Sequence, residues 1–169
     1  MDTDADLTRL LQTHGAALRR IAGSWSRSDA ERDDLLQEIG LALWTAWPRY
    51  RQQCPERAYV WRVALNCAFA HRRRHQRHEH PPEPLEDEAS DAPSPDSIIE
   101  KRQQREQLQR AIRQLPAETR ALVTMQLEGL SLEEIAAVVG GSTNAIGVRL
   151  HRAKAALLAL VHQPAPPPP

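Results

Sequence analysis

Residues 79–96 constrain this chain more than any other stretch. They are rich in proline and acid, and residues 81–100 hold seven acids and no Lys or Arg. Such a run cannot bury enough apolar surface to offset the entropy lost on ordering. Its like charges repel, so residues 79–99 are expected to form a flexible, extended linker. The fold must then be built from two pieces, 1–78 and 100–162. Residues 163–169 are a polyproline tail with no role in a core.

Strand signals are nearly absent from both pieces, and helical periodicity covers most of each. The expected fold class is all-α: two small helical domains, the second containing a helix-turn-helix. A first helix is expected from about Leu7 to Ile21, with Leu7, Leu10, Leu11, Leu18 and Ile21 apolar. A second, capped by Ser28 or Asp29, should reach Trp47 and stop at Pro48. Residues 48–56 hold two prolines and read as a loop. A third helix should start near Glu56 and run past His71 into Arg72-Arg73-Arg74. Helices resume at about 97–114, 117–128, 131–139 and 143–161.

A formal net charge of zero conceals segregation. Residues 1–80 hold 13 Lys/Arg against 10 Asp/Glu, a net of +3. Residues 101–169 hold 9 against 5, a net of +4, so two basic pieces flank the acidic tether. That distribution is compatible with two modules that touch nucleic acid. Cys54 and Cys67 form no disulfide framework and have no zinc spacing, which fits a reducing cytoplasm. The acidic start, Asp2, Asp4 and Asp6, is unlike a signal peptide, and no apolar run approaches a membrane span. A cytoplasmic protein without membrane insertion is expected.

Residues 131–154 carry the most specific motif. Ser131 and Glu134 have the spacing of a capping box. Ile135, Val138 and Val139 form an apolar face, and Ala136 lets a second helix cross closely. Gly140-Gly141 supplies a tight turn, and Ser142 or Thr143 caps the next helix. Ile146 and Leu150 anchor that helix, leaving Thr143, Asn144, Val148, Arg149, His151 and Arg152 largely outward. The pattern is that of a helix-turn-helix whose second helix enters a major groove. An αα-hairpin in a helical core uses the same residues.

In the second helix Leu36, Ile39, Leu43 and Trp47 face inward, while Asp34, Gln37, Glu38 and Leu41 share another face. That face is either a solvated surface or a dock for a basic helical partner. In the third, Val60, Trp61, Ala64, Leu65, Cys67 and Ala68 are expected inward. Arg62, Asn66, Phe69 and Arg73 share an outer face, where Arg neutralises phosphate and an aromatic stacks on a base. An ordinary basic helix with Phe69 half buried is the competing reading. The loop Arg49-Tyr50-Arg51-Gln52-Gln53 is suited to holding a base turned out of its stack. His71, His75 and His78 share a helix face at metal-ligand spacing. Arginines crowd them and no carboxylate or cysteine in the sequence completes a set. They read better as titrating members of a nucleic-acid-facing run, so no metal or cofactor is expected.

Three stretches together resemble extracytoplasmic-function (ECF) sigma factors, over roughly residues 7–78 and 100–160. Asp34-Leu35-Leu36-Gln37-Glu38-Ile39 resembles the family's polymerase-docking helix. Ala58 to Asn66, followed by Arg72-Arg73-Arg74, resembles its promoter-melting and minus-ten-reading helix. Leu115-Pro116, Glu128 to Ala136 and Arg149 to Lys154 resemble its minus-thirty-five-reading domain. The resemblance implies that Asp34, Gln37 and Glu38, with Leu41 beside them, bind the clamp coiled coil of core RNA polymerase. It implies that Asn66 and the loop around Tyr50 hold flipped minus-ten bases. It also places Gly147, Val148, His151 and Arg152 at minus-thirty-five contact positions, with Arg149 and Lys154 positioning phosphates or bracing the helix. Core polymerase, promoter DNA and an anti-sigma protein are the implied partners.

The sequence departs from the family pattern at Gly40, Ala70, Gly147 and Val148. Gly147 thins the reading edge of its helix and costs about 1 kcal/mol relative to alanine. No nucleophile–base set or phosphate loop appears, so an enzyme is not expected. Two other readings compete: a stand-alone helix-turn-helix regulator, and a polymerase-binding adaptor without promoter readout. The sequence does not place the two pieces relative to each other.

Overall fold

Three serines set where helices begin. Ser28 accepts the Glu31 amide at 3.2 Å, and Ser142 accepts that of Ala145 at 3.3 Å. Ser131 accepts the Glu134 amide at 3.2 Å, while the Glu134 carboxylate accepts the Ser131 amide at 2.8 Å, closing the expected capping box. In the computed structural model, which describes residues 3–78 and 96–162, these caps open three of seven α-helices. The helices are α1 (Thr3–Trp25), α2 (Asp29–Ala46), α3 (Glu56–His78), α4 (Asp96–Gln114), α5 (Ala117–Leu127), α6 (Leu132–Val139) and α7 (Thr143–Val161). A short 3-10 turn, Trp47–Arg49, follows α2 where Pro48 cannot supply a helical amide. The linker core and the tail lie outside the described residues.

The all-α expectation holds, and helix α1 is longer at both ends than its periodicity predicts. Packing of α1, α2 and α3 encloses Leu10, Leu18, Ile21, Leu35, Ile39, Leu43, Val60, Trp61, Ala64 and Leu65. Leu35, rather than Leu36, heads the buried row of α2, because Leu35, Ile39 and Leu43 recur every four residues. Leu36 packs at the margin, and Leu11 is exposed.

Gly129, Gly140 and Gly141 have φ of 73°, 81° and 101°, a region that a side chain strains. They mark the two turns flanking α6 and let α6 and α7 close on each other. Ile135, Ile146 and Leu150 are buried there, while Val139 stays exposed.

The two halves share one apolar core. Ala121, Leu122, Met125, Leu130, Ile135, Ile146 and Leu150 join the same buried cluster as Trp61 and Leu65. Polar links reinforce that seam. The Arg20 guanidinium grips Glu128 at 2.5 and 2.6 Å, Arg57 donates to the Glu128 carbonyl, and Arg62 donates to that of Ala137. A second cluster, Ile112, Leu115, Val123 and Ala153, ties α4 to α5 and α7. Among the described residues, no helix is long and apolar enough to cross a membrane.

Candidate docking and nucleic-acid interfaces

The outer face of α2 is set by what its inner face buries. With Leu35, Ile39 and Leu43 inward, Asp34, Gln37 and Leu41 are exposed and Glu38 is half exposed. Leu41 is 65% exposed, and Trp44, 46% exposed, extends the same surface; sequence periodicity did not single it out. Two large apolar side chains beside carboxylates make an amphipathic surface of the kind that marks contact sites. Glu38 is held by Arg74, at 2.5 and 2.6 Å, so α3 fixes its orientation.

On α3, Arg62, Asn66 and Arg73 are exposed and Phe69 is half buried. The Phe69 ring packs edge-on against Trp25 at 5.0 Å. Tyr50 is locked into an aromatic trio with Trp47 and Tyr59, at 4.8 and 4.7 Å, and its hydroxyl donates to the Cys54 carbonyl at 2.7 Å. Burial pushes the Tyr50 phenol up from its ordinary range. Gln52, at the loop tip, has a φ of 57°. That conformation is uncommon for a non-glycine residue and leaves Arg51, Gln52 and Gln53 exposed around an anchored ring.

On α7, Thr143, Asn144, Val148, His151 and Arg152 line one open surface with Leu132 and Glu133 of α6. Val148 is 48% exposed at its centre. Arg149 lies apart from this group. It reaches Glu118 at 3.3 Å and lines a different cavity, because one residue along a helix rotates the side chain by about 100°. That cavity, about 370 Å³, lies on the seam between the halves. Arg62, Leu65, Asn66 and Phe69 form its α3 wall, and Val138, Val139, Glu118 and Arg149 face them. Sequence reasoning placed Arg62, Asn66 and Arg149 on two separate DNA-facing surfaces, whereas here they line a single cleft.

His71 departs from expectation. Instead of facing nucleic acid it is 2% exposed, with Nε2 3.1 Å from Glu31 and Nδ1 3.6 Å from Glu38. Burying Ala64, Leu65 and Ala68 turns this position of α3 inward, towards α2. His75 follows one turn later, its ring 4.3 Å from that of His71. Glu31, Arg57 and Arg120 are the polar residues that sequence reading missed. Each has a partner far away in sequence, His71, the Glu128 carbonyl and the Ser24 carbonyl respectively, which no local pattern signals.

An exposed acidic helix face, a basic helix and a helix-turn-helix, in that order on an all-α chain, define a protein built for several macromolecular contacts. Residues 10–78 match the family described as Sigma-70 region 2, and residues 105–157 match Sigma-70, region 4. The chain is 34% identical over 138 residues to ECF RNA polymerase sigma factor SigD of Mycobacterium tuberculosis, covering 80% of this chain and 65% of SigD. It is 29% identical over 162 residues to RNA polymerase sigma factor CnrH of Cupriavidus metallidurans, covering 90% and 85%. The chain belongs to the ECF sigma factor family. It thus spans slightly less than two thirds of SigD.

Two solved structures share the fold. One is CnrH in complex with the cytosolic domain of CnrY, at a TM-score of 0.66 and 24% identity, covering 94% of this chain and 88% of that one. The other is the sigma factor RpoE in complex with the anti-sigma factor NepR from Bartonella quintana, at a TM-score of 0.70 and 22% identity, covering 92% and 96%.

Proposed function

We propose that this chain directs core RNA polymerase to specific promoters and assists their melting, acting in the cytoplasm as a non-catalytic initiation subunit. The observation that carries the reading is the pairing of regions 2 and 4 on one chain, each presenting an exposed face suited to its task. Asp34, Gln37, Glu38 and Leu41, joined by Trp44, dock on the polymerase. Arg62, Asn66, Phe69 and Arg73, with the loop at Tyr50, take the minus-ten element. Thr143, Asn144, Val148, His151 and Arg152 read the minus-thirty-five element, and Arg149 positions a phosphate. Nucleotidyl transfer belongs to the polymerase.

With Arg62 bonded to the Ala137 carbonyl of α6 and Asn66 in a cleft shared with Val138 and Val139, promoter binding requires the halves to part. Two weak modules on one tether gain through effective concentration once the polymerase holds both. An anti-sigma protein is the expected antagonist. Its support is that RpoE and CnrH, which share this fold, were solved with NepR and CnrY.

Run-off transcription from the protein's own upstream region, with purified core polymerase, is the test. Transcripts above core alone are expected, and Asp34→Lys should abolish them with the helical spectrum unchanged, because Asp34 is exposed. Full activity in that variant would show that α2 does not dock. A palindrome bound by a dimer without polymerase would favour the stand-alone regulator instead.

A further inference from the structure

We infer that Glu31, His71 and His75 form a binding site for a zinc-class divalent metal ion on the N-terminal half. Each offers one ligand atom, and all three atoms lie within 4.8 Å of one another. The two histidines stand at i and i+4 on α3, the spacing that brings imidazoles together on one helical face. The start of α2 supplies the carboxylate. A metal at the usual distances of about 2.0–2.2 Å holds tetrahedral ligands about 3.3 Å apart. Glu31 Oε1 and His71 Nε2 stand 3.1 Å apart, so those two positions already match a ligand pair.

The surroundings complete a metal site in three respects. Glu31 is pre-oriented, because its other oxygen accepts the Arg27 amide at 2.6 Å. His71 Nδ1 is buried and makes no hydrogen bond, but the Glu38 carboxylate lies 3.6 Å away. Metal on Nε2 places the ring proton on Nδ1, facing Glu38, which is the carboxylate–histidine–metal arrangement of outer-shell support. His75 is exposed and shares with Glu31 a cavity of about 160 Å³, which gives an ion a way in. Arg27, Arg72, Arg113 and Arg120 also line that cavity. Their charge opposes any divalent cation, so the ion must gain its affinity from imidazole coordination, which favours zinc-class metals over hard, oxygen-seeking ones. Sequence spacing suggested His71, His75 and His78 without a carboxylate; the fold supplies Glu31.

The test uses the full chain, freed of metal with a chelator and titrated with Co2+ while its d–d absorption is followed. A saturable one-to-one band, displaced by Zn2+, is expected. His75→Ala and Glu31→Gln should each weaken binding at least tenfold, on the order of the loss from removing a supporting ligand. His162→Ala, exposed at the end of α7, should leave it unchanged. Neither His75 nor Glu31 is an apolar core residue, and circular dichroism checks that both variants fold. The site is overturned by the absence of any saturable band at millimolar Co2+. Wild-type affinity in both His75→Ala and Glu31→Gln also overturns it. Loss of binding in His78→Ala with Glu31→Gln unaffected would assign the metal to a histidine ladder on α3 alone and overturn the role of Glu31. A bound ion would also steady Glu38 on the docking face, a link that rests on the function proposed above. Its separate readout is core-polymerase affinity with and without Zn2+, so the link can fail while the metal site stands.

Discussion

Glu56 opens α3 under a clamp from α1. The Arg9 guanidinium meets both of its oxygens at 3.1 and 2.8 Å, and His14 Nε2 lies 3.0 Å from one of them. The hydrogen bond from Arg9, then that from His14, holds the Glu56 carboxyl below its ordinary value of 4.5. A lowered carboxylate value means that Glu56 contributes stability in full above pH 4.5 and loses it as pH falls through the folded-state value. Glu56→Gln should therefore reduce stability by about 1 kcal/mol near neutrality, with the gap closing in acid. Urea midpoints measured across pH check this, and a gap that persists in strong acid would refute it. Arg120 serves two helix ends at once. It donates to the Ser24 carbonyl in the last turn of α1 at 3.2 Å, to that of Leu115 at 3.3 Å and to that of Arg113, and lies 4.9 Å over the Trp25 ring. Burial, then repulsion from Arg72 and Arg113, lowers its value to about 10. Arg120→Leu should cost about 2 kcal/mol by stranding those carbonyls. Arg120→Lys should not restore it, because an ammonium lacks the fork that spans them.

At the scale of elements, α7 carries its own weak point. Gly147 sits in helical conformation within α7, and the nearest atom to an added Cβ is Leu132 Cδ1 at 4.0 Å. Gly147→Ala should raise stability by about 1 kcal/mol, since it removes backbone freedom without a clash. Chemical denaturation measures that directly, and a destabilised variant would place Gly147 against something tighter. The ends of these helices were legible in the sequence because caps act locally: Ser28, Ser131 and Ser142 bond amides three residues on. The face of α2 was legible to within one residue. Leu35 and Leu36 have equal hydropathy, and only the angle at which α1 and α3 approach decides which is enclosed.

At the scale of the molecule, the seam between the halves places Arg62 and Asn66 in the cleft they share with Arg149. Glu128 is its polar hinge, gripped by Arg20 through its carboxylate and by Arg57 through its carbonyl. Glu128→Arg sets two guanidiniums against each other and should loosen the seam. A larger radius of gyration by small-angle scattering is expected, together with tighter binding of a single-stranded minus-ten probe once the cleft at Arg62 and Asn66 opens. An unchanged radius would mean that the shared apolar core alone holds the halves together.

The sequence by itself determined the helical class, the order of the acidic helix face, the basic helix and the helix-turn-helix, and the caps and glycine turns. Those depend on residues within a few positions of one another, so local patterns suffice to read them. Only the tertiary structure decided that the two halves share a core, that Arg62 and Asn66 face Arg149 across a cleft, and that Glu31 stands beside His71. Each of these joins residues from distant helices. Such contacts follow from how apolar faces pack, which no local spacing records.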